Sequence, residues 1–211
     1  MRHVLPVAAM VVALVALGGC SSAAPGSDAD ADAIAENGAD TADVRLPPVG
    51  GALDYQLGGA YEPDAAVEIV GRDRGADPAE GRYSVCYVNG FQTQPGELDL
   101  WPEDLLLQSD GATVFDPDWP DEALLDTSTA ERREAIVELV GPWIEGCAAS
   151  GFDAVEFDNL DTFTRSDGAL TIDDNLALAA SFVQVAHDAG LAAGQKNAAE
   201  FAPRLRDDAG F

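Results

Sequence analysis

Carboxylate and amide side chains are concentrated in one short segment of the chain, residues 156–161. An apolar run precedes this segment, which is the pattern of a buried strand that ends in polar residues. Side chains alternate between the two faces of a strand, so Glu156 and Asp158 share one face, and Val155 and Phe157 share the other. Parallel α/β folds bind ligands and perform catalysis at the carboxyl ends of their strands. We therefore expect a functional site around Asp158.

A pair of carboxylates can divide acid–base work, with one as a proton donor and the other as a nucleophile or base. The spacing does not decide which role Asp158 takes. Glu156 lies beside Asp158 on the same strand, about 6–7 Å away, and would flank a ligand poorly. We expect Glu156 to orient a hydroxyl or to bind an amine instead.

Composition excludes several other functions. After removal of the N-terminal segment described below, His187 is the one remaining histidine, which excludes His-rich zinc sites and argues against Ser-His-Asp chemistry. Its position near Gly190 predicts a capping role at a helix C-terminus. Calcium bound by Asp158 and Asp161 is an alternative with too few ligands to be predicted, so we expect neither a metal nor a cofactor. The formal charge of −27 disfavours nucleic acid and attracts cations.

The N-terminus predicts export. Arg2 and His3 are followed by an apolar run that is too short to span a bilayer comfortably, and a small-residue site then ends at Cys20. This pattern resembles a bacterial lipobox, which implies cleavage before Cys20 and a lipid anchor on it, at the extracytoplasmic face of the membrane. An ordinary secretory signal is the alternative.

Three regions follow from these features: a signal peptide over residues 1–19, a disordered acidic tether over residues 20–45 and a folded domain over residues 46–211. The tether consists mainly of Ala, Gly, Ser and Asp and has too little apolar surface to fold. Cys86 and Cys147 remain after lipidation of Cys20. In an oxidising compartment they either form a disulfide or stay as two buried thiols.

The folded region alternates strand and helix patterns. Strands are predicted at residues 54–57, 84–88, 123–126, 155–158 and 191–197. Helices are predicted at residues 62–70, 128–147, 171–187 and 199–207, with capping boxes at Ser128/Glu131 and Thr171/Asp174 and a kink at Pro142. This alternation indicates a parallel sheet. A five-stranded doubly wound sheet would be complete at this length, whereas a (β/α)8 TIM-type barrel would stop after about five βα units. Periodicity alone favours the complete sheet.

A resemblance favours the barrel. The segments that carry it occur in one order along the chain: Asp54–Leu57, Cys86–Pro95, Asp118–Glu122, Leu125–Asp126, Gly151–Asp161, Thr164–Ser166, Ala186–His187, Gly190–Leu191 and Gln195–Asn197. Together they resemble glycoside hydrolase family 114, whose type activity is endo-α-1,4-polygalactosaminidase. The resemblance covers nearly everything from residue 54 onward and implies a TIM-type barrel.

The resemblance also implies roles for individual residues. Asp158 is the first catalytic carboxylate, and the substrate is a cationic amino-sugar polymer. Independently of the resemblance, we expect Lys196 to pair with Asp158 and to hold it ionised, with an unpaired surface lysine as the alternative. Substrate-binding roles are expected for four groups of residues. The acids of the groove are Asp126, Glu156 and Asp161, and the two amides are Gln56 and Asn159. Tyr87 would form an aromatic platform together with Trp119, and Lys196 and Asn197 close the fifth strand.

Three departures from the family pattern affect this expectation. Phe157 and Leu124 stand where the family often has proline and tryptophan, and the chain ends at Phe211, where the family continues into a sixth strand with a glutamate-rich segment. We therefore expect a C-terminally truncated glycosidase whose second carboxylate lies beyond Phe211, and the residues leave open whether the chain is active as it stands. The alternative is a lipid-anchored binding protein that holds a cationic glycan or a metal ion without cleavage.

Overall fold

The computed structural model describes residues 44–211. Five parallel strands form its main sheet: β1 (Ala52–Gln56), β2 (Val67–Asp73), β3 (Tyr83–Asn89), β4 (Ala154–Asp158) and β5 (Ala192–Gln195). The strands lie in sequential order, β1 to β5, with no reversal. A doubly wound sheet reverses its strand order at a switch point, whereas a barrel wall does not. The five strands are thus part of a TIM-type barrel wall.

Two long helices cover one face of the sheet. Helix α1 (Ala130–Ser150) connects β3 to β4, and helix α2 (Ile172–Asp188) connects β4 to β5. The connections from β1 to β2 and from β2 to β3 are loops, so only the later units have the full βα form. Short 3-10 turns lie at Leu98–Leu100, Glu103–Leu105, Thr162–Arg165 and Ala199–Phe201, and a two-stranded ribbon pairs Gln108–Ser109 with Ala112–Thr113.

Local sequence signals set the ends of both helices. The Thr171 and Asp174 side chains form the predicted capping box at the start of α2, and His187 lies in its last turn. At α1 the capping residue is Thr129, whose side chain accepts a hydrogen bond from the Arg132 backbone N–H, so the box predicted at Ser128 is wrong by one residue. Helix α1 runs through Pro142 and ends at Gly151, whose φ of 94° favours glycine.

The main hydrophobic core lies between the sheet and the two helices. Val88, Val155 and Phe157 point from the strands toward the helices, and the Phe157 ring stacks on Phe182 of α2 at 5.2 Å between centroids. A disulfide between Cys86 of β3 and Cys147 of α1 crosses this core, which decides between the two expectations for the cysteine pair.

The opposite face of the sheet has a different character. Tyr83, Ala154 and Ala192 are buried there, whereas Leu53 and Tyr55 of β1 are 61% and 39% exposed. This is the face on which Glu156 and Asp158 lie, as the alternation predicted. Arg45, assigned by sequence to the tether, contacts the lower end of the sheet through an ion pair with Asp153 at 2.7 Å.

Two predicted elements are wrong, and the predicted last helix is present but of mixed helix type. The helix expected at residues 62–70 is replaced by strand β2, because Val67, Ile69 and Gly71 share one face of a strand and pair with β1. Residues 123–126 do not join the main sheet; they form isolated bridges to Gln92, Leu106 and Phe115 and close the loop that follows β3. The last helix is divided into a 3-10 turn, Ala202–Arg204 in α-helix and Leu205–Ala209 in π-helix.

Candidate active site

The candidate site lies at the carboxyl edge of β3, β4 and β5. Asn89 and Asp158 are paired in register as the last residues of β3 and β4, and Lys196 directly follows β5. Its backbone N–H still bonds to the Phe157 carbonyl at 3.0 Å, which holds Lys196 beside β4. Neighbouring parallel strands therefore place three functional side chains together.

Asp158 is buried, with 5% of its surface exposed, and three donors surround its carboxylate. The Tyr87 hydroxyl donates to Oδ2 at 2.6 Å, and Lys196 Nζ donates to the same oxygen at 2.8 Å. The Asn159 backbone N–H donates to Oδ1 at 2.8 Å. The pairing of Lys196 with Asp158 that the sequence suggested is present.

An amide network continues from Asp158. Asn159 and Asn197 both have positive φ angles, 66° and 69°, which Asn tolerates better than most residues. Asn159 Nδ2 donates to Asn89 Oδ1 at 3.0 Å, and its backbone N–H also contacts Asn197 Oδ1 at 3.2 Å. Asn89 Nδ2 in turn donates to Glu122 Oε2 at 3.0 Å. The network thus connects the ends of β3, β4 and β5 to the loop that carries Glu122.

Arg165 connects two polar loops at this edge through ion pairs with Asp116 and Asp161. Its Nε lies 2.6 Å from Asp116 Oδ2, and its Nη1 lies 3.0 Å from Asp161 Oδ1. Gln92 Nε2 donates to the same oxygen of Asp116 at 2.6 Å. Asp161 is therefore engaged in an ion pair within the loop after β4.

A cleft of about 580 Å³ opens above Asp158. The residues that line it come from the ends of the five strands and from two loops: Leu57, Gly58, Asp73, Tyr87, Gln94, Pro95, Trp119, Glu122, Asp158, Asn159, Lys196 and Asn197. This cleft contains the buried carboxylate, its lysine and an exposed aromatic ring. Trp119 is 60% exposed and offers its ring to the solvent.

Electrostatics distinguish the acids of this edge. Burial is the main cause that raises the pKa of Glu122, with a further increase from the charge of Asp158 and a decrease from the Asn89 hydrogen bond. Burial also raises the pKa of Glu156, and the positive charge of Lys196 acts in the opposite direction and lowers it. The pKa of the Tyr87 hydroxyl is raised by burial and by its hydrogen bond to Asp158, so Tyr87 stays a donor.

Five of the sequence-predicted residues converge on the cleft: Tyr87, Asp158, Asn159, Lys196 and Asn197. Glu156 lies one strand repeat deeper on the same face and accepts a hydrogen bond from the Tyr55 hydroxyl. Lys196 lies above both rings, 5.7 Å from the Tyr55 centroid and 5.4 Å from the Tyr87 centroid.

Two other predicted binding residues have local partners elsewhere. Asp126 accepts hydrogen bonds from the Ser128 backbone and hydroxyl and pairs with Arg132 at 3.1 Å, which fixes the start of α1. Gln56 is 2% exposed and accepts from Arg72 Nε at 2.9 Å. Neither residue lines the cleft.

Sequence reasoning missed three cleft residues. Asp73 is the last residue of β2, and its position at a strand end was missed because a helix was predicted where β2 begins. The alternation of Val67, Ile69 and Gly71 was a signal for a strand. Gln94 and Glu122 lie on loops, where periodicity carries no information. Glu122 was nevertheless inside one of the segments that resembled the family.

A sequential parallel wall with a polar cleft at its carboxyl edge is the arrangement of the TIM-barrel class of proteins, whose ligand sites lie at that edge. The sequence model of glycoside-hydrolase family GH114 matches residues 33–211, and the chain belongs to this family.

Solved structures agree on the fold. The chain is similar to Aspergillus fumigatus Ega3, solved in complex with galactosamine, with 20% identity and a TM-score of 0.66 over 82% of this chain and 70% of that one. It is also similar to the glycoside hydrolase domain of PelA from Pseudomonas aeruginosa, with 15% identity and a TM-score of 0.54 over 75% of this chain. The match spans 64% of the PelA domain, less than two thirds of its length. No curated protein matches the chain significantly.

Two further findings concern residues 44–211 alone. No helix in this range is long and apolar enough to cross a membrane. No group of three or more His, Cys, Asp or Glu side chains in the same range is arranged to hold a metal ion. Cys20, the signal peptide and nearly all of the predicted tether lie outside the described residues.

Proposed function

We propose that this protein hydrolyses a galactosamine-containing polysaccharide of the α-1,4-linked type, with Asp158 as one of its two catalytic carboxylates. The observation that carries the proposal is the position of Asp158. It is a buried carboxylate at the carboxyl end of a central barrel strand, held by Tyr87 and Lys196, and it opens into a cleft. Membership of the GH114 family supports glycosidase chemistry.

The surroundings of Asp158 favour one catalytic role. Its neighbours are a hydroxyl donor, an ammonium and a backbone N–H, and all three point hydrogens at the carboxylate. This arrangement fixes the orientation of the carboxylate, and both of its oxygens act as hydrogen-bond acceptors, which suits a nucleophilic or basic carboxylate. We therefore assign Asp158 the role of nucleophile or base, and the proton donor of the pair to another carboxyl group.

The charge of the cleft supports a cationic substrate. Asp73, Glu122 and Asp158 contribute three carboxylates to the lining, against one ammonium from Lys196. A chain with a formal charge of −27 would also attract a polycation from a distance. Trp119 offers an exposed ring on which a sugar face can stack, as aromatic side chains do through their apolar faces. Tyr87 is 8% exposed and is engaged with Asp158, so its role is to position that carboxylate.

We also propose that the mature chain is anchored by lipid on Cys20 at the extracytoplasmic face of the membrane. The lipobox-like sequence and the acidic segment that follows it support this location. A segment of that length and composition would let the hydrolase domain reach polymer that is outside the cell.

The test is turnover of a partly deacetylated α-1,4-galactosamine polymer, followed as new reducing ends. We expect the wild-type protein to release oligosaccharides and Asp158→Asn to lose at least about 1,000-fold in rate, as expected when a catalytic carboxylate is removed. Asp188→Asn is the matched control, because it makes the same change at an exposed position near the end of α2. Binding of the polymer without turnover by the wild type would refute the hydrolase and favour a glycan-binding protein.

A further inference from the structure

Two carboxylates and one ammonium group lie together on one face of the sheet. Glu156 and Asp158 are two residues apart on β4, so their side chains are about 6–7 Å apart along the strand. Lys196 pairs with Asp158 at 2.8 Å. No ion pair joins Glu156 to a cation within residues 44–211, although the charge of Lys196 is close enough to lower the pKa of Glu156. The ammonium therefore has two carboxylates within its reach and binds one of them.

Each of the two carboxylates has its own tyrosine. The Tyr87 hydroxyl donates to Asp158 Oδ2 at 2.6 Å, and the Tyr55 hydroxyl donates to Glu156 Oε2. The two rings contact each other edge to face, with 6.4 Å between their centroids. Lys196 Nζ lies 5.4 Å from the centroid of Tyr87 and 5.7 Å from that of Tyr55. Glu156 thus receives its hydrogen bond from a tyrosine, while the ammonium beside both rings stays on Asp158.

A glycine in β2 allows Tyr55 to reach across the sheet. Tyr55 belongs to β1 and Glu156 to β4, so the ring must pass over the strands between them. Gly71 of β2 is paired in register with Tyr55, and a Cβ on Gly71 would lie 2.5 Å from the Tyr55 ring. Glycine within a strand often marks a place where another group approaches the backbone closely. The contact between Tyr55 and Glu156 therefore depends on a feature of the sheet itself.

The Tyr55 hydroxyl has a large effect on Glu156. Burial is the main cause that raises the pKa of Glu156, and the Tyr55 hydrogen bond is the largest influence that lowers it. Without this hydroxyl, Glu156 would be a desolvated carboxylate that has lost its donor, and a lost hydrogen bond to a charged group is especially costly. Lys196 is the cation whose charge acts on Glu156, and a move toward Glu156 would recover this cost. Asp158 would then lose its ion pair.

We propose that Tyr55 is a positioning residue, whose hydroxyl satisfies Glu156 and thereby keeps the Lys196 ammonium on Asp158. Tyr55 acts through Lys196 and not on the reacting atoms. An ammonium partner favours the charged form of a carboxylate, which the role of Asp158 as nucleophile or base requires. The inference deepens the proposed function and rests on it where turnover is measured. The choice of partner by Lys196 can be measured without turnover.

The first test measures kcat and KM of the full chain on a partly deacetylated α-1,4-galactosamine polymer. Four proteins form a double-mutant cycle: the wild type, Tyr55→Phe, Glu156→Gln and the double variant. Phenylalanine keeps the ring over Gly71, and glutamine keeps the size of Glu156 and can still accept from Tyr55. Tyr61→Phe is the matched control, because it also removes a tyrosine hydroxyl that donates to a carboxylate, that of Asp54 at 2.7 Å.

We expect Tyr55→Phe to lower kcat about 10- to 100-fold and to change KM less than about threefold, since one hydrogen bond to a charged group is lost and substrate binding is not. In the Glu156→Gln background the same change should lower kcat less than about threefold, because no charged competitor for Lys196 remains. Tyr61→Phe should retain the wild-type kcat. An equal loss from Tyr55→Phe with and without the charge of Glu156 would overturn the inference, because neutralising Glu156 does not repair a packing defect.

The second test is independent of turnover and uses urea unfolding. It measures the coupling between Lys196→Met and Asp158→Asn, first with Tyr55 intact and then in the Tyr55→Phe background. We expect this coupling to be strong with Tyr55 intact and to be lost in the Tyr55→Phe background, where Lys196→Met becomes coupled to Glu156→Gln instead. Coupling of Lys196 to Asp158 that persists without the hydroxyl would overturn the inference. If the wild type releases no oligosaccharide, the proposed function fails, and this second test alone decides the inference.

Discussion

Reduction of the Cys86–Cys147 disulfide is expected to destabilise the domain strongly. The two cysteines are 61 residues apart in the sequence, and the bond connects β3 to α1 through the core. In the chain-entropy treatment, closing a loop of this length removes about 14 cal/mol/K from the unfolded state, which corresponds to about 4 kcal/mol at 25 °C. With a urea slope of about 2 kcal/mol per M, the unfolding midpoint should fall by about 2 M.

The assay is urea unfolding of the full chain with and without reductant, followed by tryptophan fluorescence. A Cys86→Ala/Cys147→Ala double variant serves as the control, because reductant should leave its midpoint unchanged. A shift below about 0.5 M urea for the wild type would refute the reasoning, since it would mean that the bond constrains the unfolded chain very little.

Three further predictions concern the site and the anchor. Lys196→Met should lower the free energy of unfolding by about 2 kcal/mol and reduce turnover, because it leaves the Asp158 carboxylate buried without a cation. In the Asp158→Asn background this loss of stability should largely disappear. If urea unfolding instead shows that the effects of the two substitutions add fully, the pairing of Lys196 with Asp158 is contradicted. Gly71→Ala should cost about 1–3 kcal/mol, because the new Cβ would lie 2.5 Å from the Tyr55 ring; melting curves should show little cost in the Tyr55→Ala background. Cys20→Ser should move the protein from the membrane fraction to the soluble fraction, whereas equal fractionation of both forms would refute a lipid anchor.

Much of the fold could be predicted because its strongest elements have two independent signals. Strand β4 combines an apolar run with an acidic end, and helix α2 combines a 3.6-residue period with a capping box at Thr171. Strand β2 had a weaker pattern, because it contains Gly71 and its apolar alternation ends in the charged residues Arg72 and Asp73. Tertiary pairing with β1 and β3 decided its conformation, and such long-range pairing is not visible in a local window.

Residues 123–126 illustrate the opposite error. Ala123, Leu124 and Leu125 are fully buried and extended, which is why they resemble a core strand. They pair instead with the loop after β3, as in the bond from the Leu125 backbone N–H to the Phe91 carbonyl at 3.0 Å. Hydrophobicity predicted their burial correctly, but it contains no information on which neighbour completes their hydrogen bonds.

The site was predictable where strands carry it and not where loops do. Tyr87, Asp158 and Lys196 converge because three neighbouring strands end at one edge, so their proximity follows from the order of the sheet. Glu122 reaches the same cleft through a turn whose path depends on loop contacts such as the Thr93–Ala123 bonds. No period or spacing in the sequence specifies that path, so the position of Glu122 in the cleft is visible only in the folded structure.

Chemical modification of the lysine in the cleft can be used to measure whether the cleft is occupied. Lys196 is the only lysine in the sequence, and its side chain is 36% exposed beside Asp158. An amine-reactive acylating reagent therefore has a single lysine to modify, at the point where a ligand would sit. Any compound that fills the cleft should slow this acylation, so the mass shift of one peptide becomes a measure of occupancy that requires neither turnover nor a labelled sugar.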